Sequence, residues 1–271
     1  MQSSDTAFQG QIPQLYDRLM GPMLFKPYAA DLAQRLAGLS TGHVLETAAG
    51  TGIVTRALAA TLPETVAITA TDLNQPMLDH AAAQPGAPRV RWQQADAQKL
   101  PFADSAFDAV VCQFGIMFFP DKRAGQREAV RVLKPGGRFL FNVWSEIDRN
   151  RITNVVERAL AGQFAADPPR FMSRVPFAYN DIAAITAELA AVGFTAIRAD
   201  RVTLESRSAS ARDAATALCH GTPLRAEIEA RDAARLEAAT EAAARALTRE
   251  LGEGPIAAPM EAIVFECARP A

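Results

Sequence analysis

The chain has 271 residues and a mass of 29.0 kDa, enough for one large domain or one domain with an added cap. Hydrophobic residues make up 49% of it, an ordinary supply for a sizeable core. A net charge of −2 and a pI near 6.0 give no general pull toward nucleic acid or an anionic membrane.

Neither is expected as a partner. There is no run of about eighteen apolar residues to span a membrane. No basic stretch followed by an apolar one opens the chain, so a signal peptide is not expected and a cytoplasmic location is. Cys112, Cys219 and Cys267 form no C-x-x-C pair and read as buried, inert thiols. His43, His80 and His220 lack ligand spacing, so no metal site is expected.

In chain order, Ile12 to Leu39 reads as two or three short helices, with Pro13 in a first turn and Pro22 and Pro27 as breaks. Residues Val44 to Gly52 read Val-Leu-Glu-Thr-Ala-Ala-Gly-Thr-Gly, an apolar strand ending in an acid and entering a small-residue turn. Thr51 to Thr61 is helical, and the next strand begins at Val66 and ends at Asp72. Strand, glycine turn, helix, strand and acid form the layout of a nucleoside-cofactor pocket. Glycine lets the backbone approach a ligand where a side chain would stand in the way. Dehydrogenases and methyltransferases both use this layout, so it does not choose between them.

Pro76 to Ala83 reads as a helix and Val90 to Ala95 as a strand ending at Asp96. Phe107 to Phe114 is a fourth strand, followed by Gly115. Lys122 to Leu133 is a helix, and Leu133-Lys134-Pro135-Gly136-Gly137-Arg138-Phe139-Leu140 is a helix end, a tight turn and a fifth strand. Strands alternating with helices imply a parallel sheet covered on both faces.

Arg149 to Gly162 reads as a helix and Asp167 to Asn180 as a loop. Asn180 or Asp181 caps a helix that runs to Val192 and stops at Gly193. Thr195 to Glu205 is a sixth strand and Glu261 to Ala268 the last. Between them Ser206 to about Gly254 is largely helical. Leu236, Ala239, Ala243, Leu247 and Leu251 keep helical spacing, and Glu227–Arg231 and Glu241–Arg245 are i,i+4 pairs on the outer face.

Taken in order, the acid-x-x-x-Gly-x-Gly turn, Asp72, Asp96-Ala97 before Leu100-Pro101-Phe102, Phe107-Asp108 and Leu-Lys-Pro-Gly-Gly carry a family resemblance. The chain resembles the class I S-adenosylmethionine-dependent methyltransferases, in particular the group related to the ubiquinone and menaquinone C-methyltransferases. The resemblance covers roughly Leu15 to Trp144. It departs at Ala48, where the family usually has the first glycine of the loop. A nicotinamide-dependent reductase fits less well, because the third glycine of its fingerprint would fall at Thr55.

The resemblance implies an α/β fold: a Rossmann-like, seven-stranded, mostly parallel sheet with helices on both faces, plus a helical cap. Residues 1–40 become an N-terminal helical lid, 41–205 and 255–271 the methyltransferase core, and 206–254 a helical insert serving as cap. That cap is expected over the carboxyl ends of the strands, where ligands of open α/β sheets bind.

The implied cofactor is S-adenosylmethionine. Glu46 would engage its methionine amino end, and Ala48, Ala49 and Gly50 would present backbone to the methionyl part and ribose. Asp72 would take the ribose hydroxyls, with Leu73 on one adenine face and Met77 nearby. Asp96 would accept from the adenine amino group, and Ala97 would offer its N–H to a ring nitrogen. Gln113 and Phe114 fall where the family places residues beside the sulfonium. Tyr16 is a candidate for cofactor contact, unless its helix simply packs on the sheet. For Glu46 a helix-dipole role, and for Asp96 a helix cap, are the plainer alternatives.

Methyl transfer needs no general acid, since the leaving group departs neutral. A base helps if the acceptor atom is a hydroxyl or an ammonium. His220 is the candidate base, with helix capping as its alternative; Tyr28 and Tyr179 are weaker candidates. Phe118, Phe119, Phe171, Met172 and Phe177 either line an apolar acceptor pocket or pack a core. The expected activity is methyl transfer to a small-molecule acceptor, by a monomer or homodimer. Two alternatives stay open: a family member that uses the sulfonium in other chemistry, and a binding protein whose helical insert serves a partner.

Overall fold

Seven strands form one sheet in the order β3-β2-β1-β4-β5-β7-β6. Their bounds are β1 Gly42–Glu46, β2 Val66–Asp72, β3 Val90–Gln94, β4 Phe107–Gln113, β5 Leu133–Trp144, β6 Thr195–Ser208 and β7 Ile256–Ala268. The computed structural model describes residues 12–271, and the stretch that bears on a signal peptide lies outside the described residues. Among the described residues no helix is long and apolar enough to cross a membrane.

The pairs β1–β2, β1–β4, β2–β3 and β4–β5 are parallel. Strand β7 runs against β5: Gly137 faces Arg269 at one end, and Ser145 faces Glu261 at the other. The result is a mixed, mostly parallel sheet. Consecutive residues Val110, Val111 and Cys112 of β4 are all fully buried. Neighbours on a strand point to opposite faces, so both faces of this strand are covered.

Two fragments of the sequence pattern meet at the amino end of the sheet. The Asp108 carboxylate accepts from the His43 backbone N–H at 2.7 Å and from the Lys134 ammonium at 2.8 Å. Phe107-Asp108 thus supplies an anion and Leu-Lys-Pro-Gly-Gly its cation.

The elements match the sequence reading in kind and differ at their ends. Tyr16–Phe25 is a π-helix that runs through Pro22 and joins the α-helix Lys26–Arg35, so neither Pro22 nor Pro27 breaks the run. Its wider turns change the pattern of i→i−4 bonding that proline would interrupt. Leu133 pairs with Phe107 and Arg138 with Ala109, so β5 begins at Leu133, and residues 134–137, with Gly136 at φ 74°, make their tight turn as an irregularity within the strand opposite Asp108. The Asp167 to Asn180 loop contains a short helix, Phe171–Arg174. Strand β6 extends three residues beyond Glu205, and β7 starts at Ile256 rather than Glu261.

The chain divides into two units, each with its own internal packing. The first, the sheet unit, comprises Tyr28–Val143, Tyr179–Val202 and Ala262–Ala271. Its core includes Phe141 stacked on Phe265 at 4.9 Å and Tyr28 set edge-on to Phe114 at 5.4 Å. The second, the helical unit, comprises residues 12–27, Trp144–Ala178 and Thr203–Glu261.

Within the helical unit, the helix Leu236–Leu251 packs against both Ala211–His220 and Arg151–Gln163. That accounts for its alanines: Ala239, Ala242, Ala243, Ala244 and Ala246 are buried alongside Leu247. Small side chains let two neighbours approach one helix. Glu241 pairs with Arg245 at 3.5 Å as read from the sequence. Glu227 is less outward than its spacing suggests. It accepts from the backbone N–H groups of Arg170 and Phe171 at 2.8 and 3.2 Å, at the start of the short helix.

Candidate functional site

The loop after β1 is built on residues that take left-handed backbone. Ala48, Gly50 and Gly52 have φ of 53°, 55° and 79°. Glycine adopts this region freely; alanine does so at a cost of about 1–2 kcal/mol. Hydrogen bonds hold the turn. Thr47 N–H donates to the Val111 carbonyl and Ala49 N–H to the Thr71 carbonyl, each at 2.9 Å. The loop is thereby tied to the tips of β4 and β2.

Asp72 is the anchor. Its Oδ2 accepts from Gly50 N–H at 2.8 Å, and its Oδ1 accepts from the Asn74 backbone N–H at 2.8 Å and the Asn74 amide at 3.3 Å. The carboxyl is nearly buried, and desolvation raises its pKa against the lowering effect of those bonds. Leu73 beside it is the reverse case. It is the large hydrophobic side chain left exposed, at 53%, among the described residues. An exposed leucine at a strand tip fits an aromatic base laid on it. A Cβ placed on Gly50 would meet only Met77 Cε, at 3.7 Å, so the turn leaves room beside a soft apolar side chain. A nucleoside cofactor fits this donor and acceptor set.

Ala48, the departure from the family pattern, is accommodated. A Cβ added to Gly115 would fall inside the van der Waals shell of the Ala48 methyl and 2.9 Å from Cys112 Sγ. The missing side chain at 115 is the space that Ala48 fills.

Glu46 is 1% exposed and its Oε2 accepts from the Thr55 hydroxyl at 2.5 Å. Thr55 stands where a dinucleotide fingerprint would need its third glycine, so that position serves the acid instead. Burial pushes the Glu46 carboxyl up to about 8, and the Thr55 bond only partly opposes it. The folded chain then holds a proton that the unfolded chain releases near 4.5. Stability from this source is full below about 4.5 and is lost as pH rises through about 8. Relative to Glu46→Gln, the wild type should lose about 1 kcal/mol per pH unit between about pH 6 and pH 8. Parallel melting curves for the two proteins across that range would contradict a protonated Glu46.

Asp96 is exposed and begins a turn. Its Oδ1 accepts from Gln98 N–H at 2.8 Å, while Oδ2 meets no donor among the described residues. Ala97 beside it is buried. At the tip of β4, Gln113 pairs in register with Asn142, and Phe114 has φ of 50°. That backbone is held by Phe114 N–H, which donates to the Asn142 side-chain oxygen at 2.9 Å.

The sheet unit therefore contains eleven of the residues singled out: Glu46, Ala48, Ala49, Gly50, Asp72, Leu73, Met77, Asp96, Ala97, Gln113 and Phe114. Tyr16 and His220 belong to the helical unit. There the Tyr16 ring stacks on Phe25 at 4.7 Å. His220 ends the helix Ala211–His220, with Nε2 2.9 Å from the Thr240 hydroxyl. That hydroxyl also lies 2.8 Å from the Leu236 carbonyl, to which it donates, and the Glu237 carboxylate is 3.6 Å from the same Nε2. Desolvation lowers the His220 pKa.

Tyr28 and Tyr179 have committed phenols, donating to the Val202 carbonyl at 3.0 Å and to Glu188 at 2.5 Å. Phe171, Met172 and Phe177 are buried in the core of the helical unit, whereas Phe118 and Phe119 are half-buried. The three cysteines are free and buried, and burial pushes Cys112 up to about 11 and Cys219 up to about 12. Thr55, Asn74 and Gly115 were not evident from sequence. Gly115, a glycine directly after a strand, and Asn74, two residues past an acid that begins a turn, left local signals of turns but not of these contacts.

A doubly wound sheet with a glycine turn after its first strand, anchored by an acid at the tip of the second, defines a nucleoside-cofactor protein. Residues 45–141 match the model of a family described as a methyltransferase domain. The chain is 33% identical over 173 residues to a ubiquinone/menaquinone biosynthesis C-methyltransferase of Ectopseudomonas mendocina, covering 59% of this chain and 68% of that protein. It is 41% identical over 104 residues to the Geotalea daltonii protein of the same name, covering 37% and 44%. The chain thus spans about half the length of the curated relatives it matches. In fold it resembles a Haemonchus contortus phosphoethanolamine N-methyltransferase solved with S-adenosyl-L-methionine. The TM-score is 0.62 at 17% identity, over 98% of this chain and 59% of that one. The chain belongs to the class I S-adenosylmethionine-dependent methyltransferases, in the group related to the ubiquinone/menaquinone C-methyltransferases.

Proposed function

We propose that the chain is an S-adenosylmethionine-dependent methyltransferase that passes a methyl group to a small-molecule acceptor by in-line displacement. The observation that carries this reading is the Gly50 turn held by the Asp72 carboxylate, in a chain of this family. When bound, the cofactor supplies an electrophilic methyl on a sulfonium whose thioether leaves without charge. The protein's task is then to position the acceptor and exclude water.

Glu46 is assigned to the cofactor's ammonium end, whose positive charge would favour the ionised carboxylate and release its proton to solvent. Ala48, Ala49 and Gly50 present backbone, and Asp72 accepts from the ribose hydroxyls with its remaining lone pairs. Leu73 and Met77 give apolar contact to the base, Asp96 and Ala97 read its edge, and Gln113 and Phe114 lie beside the reacting methyl. Tyr16 is assigned a further cofactor contact. His220, with its Nε2 on the Thr240 hydroxyl, is the proposed base for a hydroxyl or ammonium acceptor. The helices between β6 and β7 are assigned to acceptor recognition, since strands of this plan need only a turn there.

Isothermal titration tests the reading. S-adenosylmethionine and S-adenosylhomocysteine should each give saturable heat and NADH none. Heat from NADH alone would replace it with a reductase. Tight binding without any S-adenosylhomocysteine formed across a metabolite screen would favour other sulfonium chemistry.

A further inference from the structure

The stretch from Asp96 to Ala106 joins β3 to β4 and carries the acid and backbone assigned to adenine. Most of it forms neither helix nor strand. A connection of this length is costly to order unless something outside it fixes its shape. The helix Lys122–Val132 does so from one turn of its surface.

Arg131 spends every donor it has there. Its Nη1 donates to the Phe102 carbonyl at 2.7 Å and to Asp104 at 2.8 Å. Its Nη2 donates to the Leu100 carbonyl at 3.0 Å and to Glu128 Oε2 at 2.7 Å, and its Nε to Glu128 Oε1 at 2.7 Å. Those are the five N–H groups of a guanidinium. Glu128 completes the clamp by accepting from Leu100 N–H at 2.7 Å, so both backbone polar groups of Leu100 are held. The paired, parallel geometry between guanidinium and carboxylate is one that lysine cannot reproduce. The near end of the loop is tied to the same helix. Gln98, whose N–H donates to Asp96 Oδ1 in the turn, accepts through its side-chain oxygen from the N–H of Asp121, the residue that caps the helix start.

We propose that Glu128 and Arg131 are positioning residues that set the cofactor's base selectivity: they hold the 96–104 loop so that Asp96 and Ala97 face the adenine edge. The inference rests on the methyltransferase reading and adds two residues with no assigned part in it. It accounts for a clamp of this density on a loop whose exposed acid keeps Oδ2 free.

The test compares S-adenosylhomocysteine with S-inosylhomocysteine, in which the adenine amino group is replaced by a carbonyl. An amino group donates to Asp96, whereas a carbonyl faces it with a second acceptor. Wild-type protein should prefer the adenine ligand by about tenfold or more, one charged hydrogen bond. Arg131→Met should reduce that preference to about threefold or less, and Arg131→Lys should not restore it. Glu128→Gln, which keeps an acceptor for Leu100 N–H, should give an intermediate preference; it decides the matter if Arg131→Met does not fold.

A folded variant that binds both ligands more weakly by the same factor would overturn the proposal, leaving the clamp a support of the fold alone. Equal binding of the two ligands by wild-type protein would overturn it as well. Failure of wild-type protein to bind S-adenosylhomocysteine at all is a different result, and defeats the methyltransferase reading itself.

Discussion

Asp72→Ala should weaken S-adenosylhomocysteine binding by about 2–3 kcal/mol, roughly 30- to 150-fold. Two losses combine. The ribose loses a charged acceptor, and Gly50 N–H loses the carboxylate oxygen that fixes the turn at 2.8 Å. An acid that touched only ribose would contribute the first loss alone. The fold should persist, because the Gly50 and Asn74 N–H groups sit in a loop that water can reach, and removing a buried charge recovers its desolvation cost. Asp72→Asn should fall between, since it keeps one oxygen for one of the two bonds. Titration calorimetry with thermal unfolding separates these terms. Undiminished affinity in a folded Asp72→Ala protein would remove this residue from the site.

The second large effect concerns the helices between β6 and β7. Replacing residues 209–254 by a two-residue turn should abolish methyl transfer, with S-adenosylhomocysteine affinity changed by about threefold or less. Eleven of the proposed cofactor residues lie in the sheet unit, which has its own internal core. His220 lies in the deleted stretch. A lower melting temperature is expected, because Ala211–His220 covers part of Tyr16–Phe25 and Leu236–Leu251 covers part of Arg151–Gln163. Turnover at the wild-type rate would show that the stretch serves something other than the acceptor. Loss of binding in a folded deletion variant would show that it holds the cofactor.

The strands were legible where apolar runs end at a charge or a glycine. Val44 to Glu46 and Val66 to Asp72 announce both their period and their stop, and the structure keeps those carboxyl ends. The ends that moved lack such marks. Ile256 to Met260 includes Pro259 and follows Gly252, Gly254 and Pro255, so its strand character is hidden among turn residues. Pro22 signals a break to any local rule, yet the π-helix passes through it. Within the candidate site, sequence identified acids and glycines and missed what holds them. The partners are distant in the chain or unremarkable in type: Thr55 on Glu46, Asn142 on Phe114, Arg131 on a loop thirty residues earlier. Pattern reveals a residue's own conformation better than the identity of the group that will meet it.

Ala48 and Gly115 share room for a single methyl group, so substitutions at the two positions are coupled. While residue 48 carries a methyl, residue 115 is closed to every side chain. Glycine at 48 would remove one of the two obstacles at 115, with Cys112 Sγ remaining. Order therefore matters: a change at 115 that is damaging today becomes more tolerable only after 48 has changed first. The departure from the family pattern acts as a ratchet, holding in place a glycine that lies outside the cofactor turn altogether.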